Sequence, residues 1–188
     1  MGDLLSAKVA DNITIFQLDG NASFSQKKKQ QREVLIFELK TGLCLTVDER
    51  FKDHEGWAPY LDELWPGWSK GQRWLLSKAK DSWRISSALL PSMYLTSKSP
   101  YDDKRAMVVL RSKENSQTQC WKPTIEKGSF YIQSCEGGRG VWDVGTAATR
   151  EERFKFGRAH DQWLWTWPVN HGALRQQFML LEPTDLKF

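Results

Sequence analysis

Val34-Leu35-Ile36-Phe37-Glu38-Leu39, then Gly42-Leu43-Cys44-Leu45-Thr46-Val47, then Gln72-Arg73-Trp74 make two short strands followed by a closing Gln-x-Trp. Alternating apolar side chains bounded by turn formers mark a pleated, half-buried surface. The same order returns in Ser82-Trp83-Arg84-Ile85-Ser86, Ser92-Met93-Tyr94-Leu95-Thr96-Ser97 and Gln119-Cys120-Trp121. It returns again in Ser129-Phe130-Tyr131-Ile132-Gln133, Gly140-Val141-Trp142-Asp143-Val144-Gly145 and Gln162-Trp163-Leu164-Trp165. Ile36, Ile85 and Ile132 are 49 and 47 residues apart, and Leu45, Leu95 and Trp142 are 50 and 47 apart. A period of this size in short strands means one supersecondary unit used three times, because a single unit cannot bury its own apolar face. The Trp near each unit's end fills the shared core, and its Gln serves backbone groups that the turns leave unpaired.

Composition agrees. The chain has 188 residues, 40% of them hydrophobic and 27% charged, which is enough for one core and excludes a disordered tail. Ten Trp, nine Phe and four Tyr favour an all-β protein. A net charge of +4 is too small to mark a nucleic-acid binder, and Lys27-Lys28-Lys29 with Arg32 reads as a solvated loop. No apolar run approaches the roughly 20 residues of a membrane-spanning helix. The opening Met1-Gly2-Asp3-Leu4-Leu5-Ser6 lacks secretory features, so a cytoplasmic location is expected. Cys44, Cys120 and Cys135 cannot all pair within the chain and read as reduced, buried residues. His54, His160 and His171 lack metal-ligand spacing, so neither metal nor cofactor is expected. Glu151-Glu152 and Asp102-Asp103 would diverge along a strand, and no nucleophile elbow or phosphate loop is present; the chain does not read as an enzyme.

At these repeats the chain resembles the ricin B-type lectin family, whose fold is the β-trefoil: twelve strands in three repeats, each with a Gln-x-Trp near its end. The resemblance covers residues 34 to 168, in units of about 34–80, 81–127 and 128–168, with Trp163 directly after Gln162 in the altered third copy. Residues 1–33 read as an extension carrying one strand at 12 to 18, and residues 169–188 as a closing strand segment. The two terminal strands are expected to lie together and leave no exposed edge. Gln177-Phe178 is an alternative end for the third repeat.

The resemblance implies a shallow sugar pocket on a repeat, with a carboxylate on the second strand, an aromatic ring, and an amide before the closing Gln. Such a ring serves because one side of a pyranose is apolar. The third unit fits best: Asp143 is the carboxylate, Phe156 or Phe154 the ring, and Asp161 precedes Gln162 with His160 adjacent. The first unit keeps half of the pattern, with Thr46 for the carboxylate, Glu63 and Trp65 in place, Gly71 before Gln72, and Asp48 as a further acceptor. The second has Thr96, Val108, Leu110 and Thr118 and is not expected to bind sugar. Structural readings stand beside these: Asp143 as a turn cap, Phe156 as core, and Asp161-Gln162 as fold-keeping residues.

The resulting expectation is a carbohydrate-binding protein whose partners are glycans or glycoproteins, in a defence setting, weak at one site unless the protein forms a homodimer. The alternative is a β-trefoil that binds a protein, as protease inhibitors of this fold do, through the loop of residues 48 to 71 with Trp57, Trp65 and Trp68.

Overall fold

The computed structural model describes residues 31–53, 56–67, 69–98, 106–137, 140–145 and 162–183. The described chain is built of strands and three single-turn 3₁₀ segments. The first repeat contributes β1 (Arg32–Glu38), β2 (Cys44–Thr46), a small hairpin of β3 (Lys52–Asp53) and β4 (Gly56–Trp57), β5 (Tyr60–Asp62) and β6 (Trp74–Ala79). The second contributes β7 (Ser82–Ser87), β8 (Met93–Ser97), β9 (Ala106–Ser112) and β10 (Trp121–Glu126). The third contributes β11 (Ser129–Ser134), β12 (Val141–Gly145), β13 (Trp163–Trp167) and β14 (Phe178–Leu181).

First and fourth strands of the repeats form one antiparallel wall in the order β14-β1-β6-β7-β10-β11. Second and third strands form three hairpins, β2 with β5, β8 with β9 and β12 with β13, and β13 also pairs with β5 and β9. Six wall strands and three capping hairpins related threefold are the β-trefoil. The extra β3–β4 hairpin belongs to the first repeat and pairs through Trp57 with Leu110 of β9. The expected strand at 12 to 18 lies outside the described residues. The C-terminal strand β14 pairs with β1, with Glu38 opposite Phe178 and Leu35 opposite Leu181.

The repeat columns become core layers. Ile36, Ile85 and Ile132 are fully buried with Leu45, Leu95 and Trp142 and with the closing aromatics Trp74, Trp121 and Phe178. A second cluster under the hairpins holds Tyr60, Val109 and Trp165 with Met107 and Trp163, all from the third strands, and Ala58 just before β5. The first strand of each repeat also ends in a buried polar residue that caps the following turn. Glu38 accepts from Thr41 N at 2.8 Å and Lys40 N at 3.1 Å, Ser87 from Leu89 N at 3.1 Å, and Ser134 from Glu136 N at 3.2 Å. Glycine is obligatory at Gly140: its φ is +74°, and a Cβ there would lie 2.0 Å from the Trp167 carbonyl oxygen.

Candidate functional site

Three buried glutamines organise the molecule, and they are Gln72, Gln119 and Gln176. Each ends a 3₁₀ turn, Lys70–Gln72, Gln117–Gln119 or Leu174–Gln176, and each stands two residues before a fully buried aromatic. The amide oxygen accepts from the backbone N–H of Trp65 at 2.8 Å, Glu114 at 2.8 Å and Asn170 at 2.7 Å. The amide nitrogen donates to the carbonyl of Glu63 at 2.7 Å, Ser112 at 2.8 Å and Pro168 at 3.0 Å. Its second hydrogen goes to the second strand: Thr46 Oγ1 at 3.1 Å, Thr96 Oγ1 at 3.1 Å and Asp143 Oδ2 at 2.7 Å. Both hydrogens and the oxygen of each amide are engaged, so each glutamine rivets the second strand to the loop that leads into the fourth.

This places the third closing glutamine at Gln176, and the sequence reading that gave Gln162 this place is corrected. Gln162 precedes β13, where its carbonyl accepts from Leu61 N at 3.0 Å, and its side-chain oxygen is buried without a hydrogen-bond partner among the described residues. The physical reason is strand count: a repeat needs a third strand before its closing glutamine, and Trp163–Trp167 is that strand. The third repeat therefore closes with β14, beyond residue 168. The closing aromatic there is Phe178, and Trp142 occupies the column held by Leu45 and Leu95. The bulky ring has changed strands, with Trp142 edge-on to Phe178 at 5.5 Å and to Trp121 at 5.3 Å. Trp74 and Trp121 donate from their indole nitrogens to the carbonyls of Leu45 and Leu95, both at 2.9 Å, whereas Trp142 Nε1 has no such acceptor among the described residues.

The third node alone carries a carboxylate. Asp143 Oδ2 accepts from Gln176, and Oδ1 lies 3.2 Å from Arg175 Nε; the Arg175 side chain is 47% exposed and that of Asp143 only 6%. Burial pushes the Asp143 carboxyl above the ordinary carboxylate range, opposed by the Gln176 hydrogen bond and the Arg175 charge and assisted by nearby Glu38. Asp143 pairs with Trp165 across the β12–β13 ladder, and Val141 with Trp167. Two residues beyond Trp165 on one strand, the half-buried Trp167 shares the face of Asp143 as its diagonal neighbour. A carboxylate with two unused lone-pair positions and a guanidinium thus meet at one strand end, on the face that also carries an indole.

Of the residues expected at this site, Asp143 is placed at a node, whereas Phe156, His160 and Asp161 lie outside the described residues, as does Phe154. Sequence reasoning missed Trp167, Arg175 and Gln176. The signal for them was Trp142: a large ring in a leucine column calls for a smaller closing aromatic, which Gln176-Gln177-Phe178 supplies.

In the first repeat the backbone N–H of Trp65 donates to Gln72, and Glu63 contributes its carbonyl while its side chain is exposed. Trp65 Nε1 donates to Asp62 at 3.2 Å, and its ring lies 3.6 Å from where a Cβ on Gly71 would stand. That same Cβ would be 2.5 Å from the Val47 carbonyl, which explains a glycine in the position of the expected amide. Asp48 forms an ion pair with Arg50 at 2.5 Å. Trp57 carries Lys52 over its ring at 4.4 Å, while Trp68 lies outside the described residues. The second node offers Thr96 and an exposed Glu114 backbone, with no ring or carboxylate side chain bound to the glutamine. Among the described residues no group of three or more His, Cys, Asp or Glu could hold a metal ion, and no helix is long and apolar enough to cross a membrane.

No family model and no curated protein matches the chain. Solved structures do. A mosquitocidal holotoxin matches at TM-score 0.62 and 13% identity, over 81% of this chain and 17% of its own. The Polyporus squamosus lectin, bound to the human-type influenza-binding epitope Neu5Acα2-6Galβ1-4GlcNAc, matches at TM-score 0.61 and 12% identity, over 83% of this chain and 50% of its own. ThreeFoil, a designed threefold symmetric protein, matches at TM-score 0.60 and 17% identity, over 80% of this chain and 98% of its own. The chain thus spans half the length of the Polyporus lectin and 17% of the holotoxin. These likenesses carry the fold: the chain has the β-trefoil architecture expected from its resemblance to ricin B-type lectins.

Proposed function

We propose that this β-trefoil protein binds carbohydrate, principally through the third repeat, with Asp143 accepting from adjacent sugar hydroxyls and Trp167 lying against the apolar face of the ring. One observation carries the reading: the third node alone replaces a threonine hydroxyl with a buried carboxylate whose burial opposes its charge, beside an indole on the same face. A purely structural rivet has no need of that charge, since Thr46 and Thr96 serve the same amide hydrogen. Groups kept against their own solvation are the mark of binding chemistry. The lectin among the structural matches supports the class of ligand. Defence against organisms whose glycans the protein meets is part of the same reading and rests on the resemblance.

The test is a glycan-array screen of wild type beside Asp143→Asn and Trp167→Ala, after circular dichroism shows all three folded. Asp143→Asn keeps an acceptor for Gln176 and removes the charge. Selective binding lost in both variants is the expected result. Binding that survives both variants removes the third repeat from the reading, and an empty array from folded wild type removes carbohydrate binding.

A further inference from the structure

The residue before the closing glutamine differs in kind among the three nodes. Gly71 is confined by the Val47 carbonyl, at 2.5 Å from a Cβ there. Thr118 turns its hydroxyl back to Ser116 Oγ at 2.8 Å and takes part in its own turn. Arg175 alone reaches its node's second strand, through Nε to Asp143 Oδ1 at 3.2 Å. Nε is one of five guanidinium donors, and Asp143 is this side chain's one acceptor among the described residues. With nearly half of the side chain exposed, the remaining donors are available at the mouth of the site. Glu38, the other carboxylate near Asp143 among the described residues, is fully buried and commits its oxygens to the backbone N–H groups of Lys40 and Thr41 and to the Thr41 hydroxyl. Among the described residues the accessible charge at the mouth is therefore the guanidinium.

We propose that Arg175 makes the third-repeat site selective for acidic saccharides, its free N–H groups taking a carboxylate of the ligand while Asp143 accepts from hydroxyls of the same sugar. This rests on the carbohydrate-binding reading and adds the ligand's charge to it. A planar guanidinium fork matches a carboxylate in two parallel hydrogen bonds, and a hydrogen bond between charged partners is about twice as strong as a neutral one. A neutral hydroxymethyl group offers Arg175 one uncharged acceptor. The sugar that uses both residues has an acidic group beside vicinal hydroxyls, which is the chemistry of a uronic acid.

The experiment compares sugars that differ only in that group. Polymer-conjugated galactoside, galacturonide, glucoside and glucuronide are titrated against wild type, Arg175→Gln and Arg175→Lys, each first shown to be folded. The readout is the acid-to-neutral affinity ratio within each pair. Wild type is expected to prefer the acid of at least one pair by roughly tenfold at low salt, with the ratio falling as ionic strength rises. In Arg175→Gln the ratio is expected to collapse to within about threefold of one, and Arg175→Lys to retain part of it because the charge remains without the fork. Equal affinities for the two members of each pair in wild type, or a ratio that survives Arg175→Gln, overturn the inference and leave carbohydrate binding standing. A sulfated galactoside in the same series distinguishes general anion preference from carboxylate recognition: binding as tight as the uronide overturns selectivity for carboxylate. Failure of all four conjugates to bind folded wild type overturns the uronic-acid inference, and the glycan array decides separately whether carbohydrate binding falls with it.

Discussion

Gln176→Ala and Gln162→Ala are predicted to differ widely in stability, although both remove one glutamine from the third repeat. Gln176 makes three side-chain hydrogen bonds, at 2.7 Å to Asn170 N, 3.0 Å to the Pro168 carbonyl and 2.7 Å to Asp143. Each is worth about 1 kcal/mol net, and leaving a buried partner unsatisfied costs roughly 1–3 kcal/mol. Water reaching the exposed Asn170 and Pro168 moderates the total, which comes to about 3–5 kcal/mol. With a urea slope of about 2 kcal/mol per molar, the unfolding midpoint should fall by about 2 M. Gln162 has a side-chain oxygen buried without a partner, so alanine there removes a liability and should change stability by less than about 1 kcal/mol in either direction. Urea melts followed by tryptophan fluorescence decide it. A Gln162→Ala loss equal to that of Gln176→Ala would refute the assignment of the third rivet, and so would a Gln176→Ala loss below about 1 kcal/mol.

Trp142→Leu and Phe178→Trp should each destabilise, by roughly 2–4 kcal/mol for the cavity and 1–3 kcal/mol for the overpacking, whereas the double variant restores the arrangement of the other repeats. A double-mutant cycle should therefore show a favourable coupling of about 2 kcal/mol, and additivity would deny that the ring has changed strands. Asp143 has a raised folded pKa, so its contribution to stability is full below the unfolded value of 3.8 and is lost as pH rises through the folded one. Thermal melts of Asp143→Asn against wild type should then shift in the variant's favour between pH 3 and pH 7; a constant difference would contradict this. Burial pushes the Cys44 thiol up to about 12, while Cys120 and Cys135 are only half-buried. Iodoacetamide at pH 8 should label at most two thiols in the native protein and the third only in denaturant, as counted by mass spectrometry.

Parts of the site were legible and parts were not. Asp143 could be found because its position follows from a strand column, two residues past Val141 as Thr46 is two past Cys44. Columns in strands repeat by alternation, and alternation is local. Gln72 and Gln119 could be found because their repeats keep nearly the same length between strand and closing residue. Gln176 could not, because the third repeat is longer and its closing aromatic is Phe178, so the nearer Gln162-Trp163 looked like the motif. Arg175 becomes the partner of Asp143 through the loop that Gln176 holds, by its bonds to Pro168 and Asn170, with Trp167 as the diagonal neighbour across the ladder, and that loop is invisible to a count of residues.

The sequence by itself determined the class of fold and its threefold order. Period-two alternation selects strands, apolar columns recurring every 47 to 50 positions require a common core, and both are properties of short segments. Which glutamine closes the third repeat, which strand carries its large ring, and what faces the buried carboxylate were decided only by tertiary structure. The reason is that volume and hydrogen bonds are satisfied in space: a tryptophan on β12 and a phenylalanine on β14 fill the layer that a leucine and a tryptophan fill elsewhere, and an amide finds whichever acceptors the packed chain brings to it.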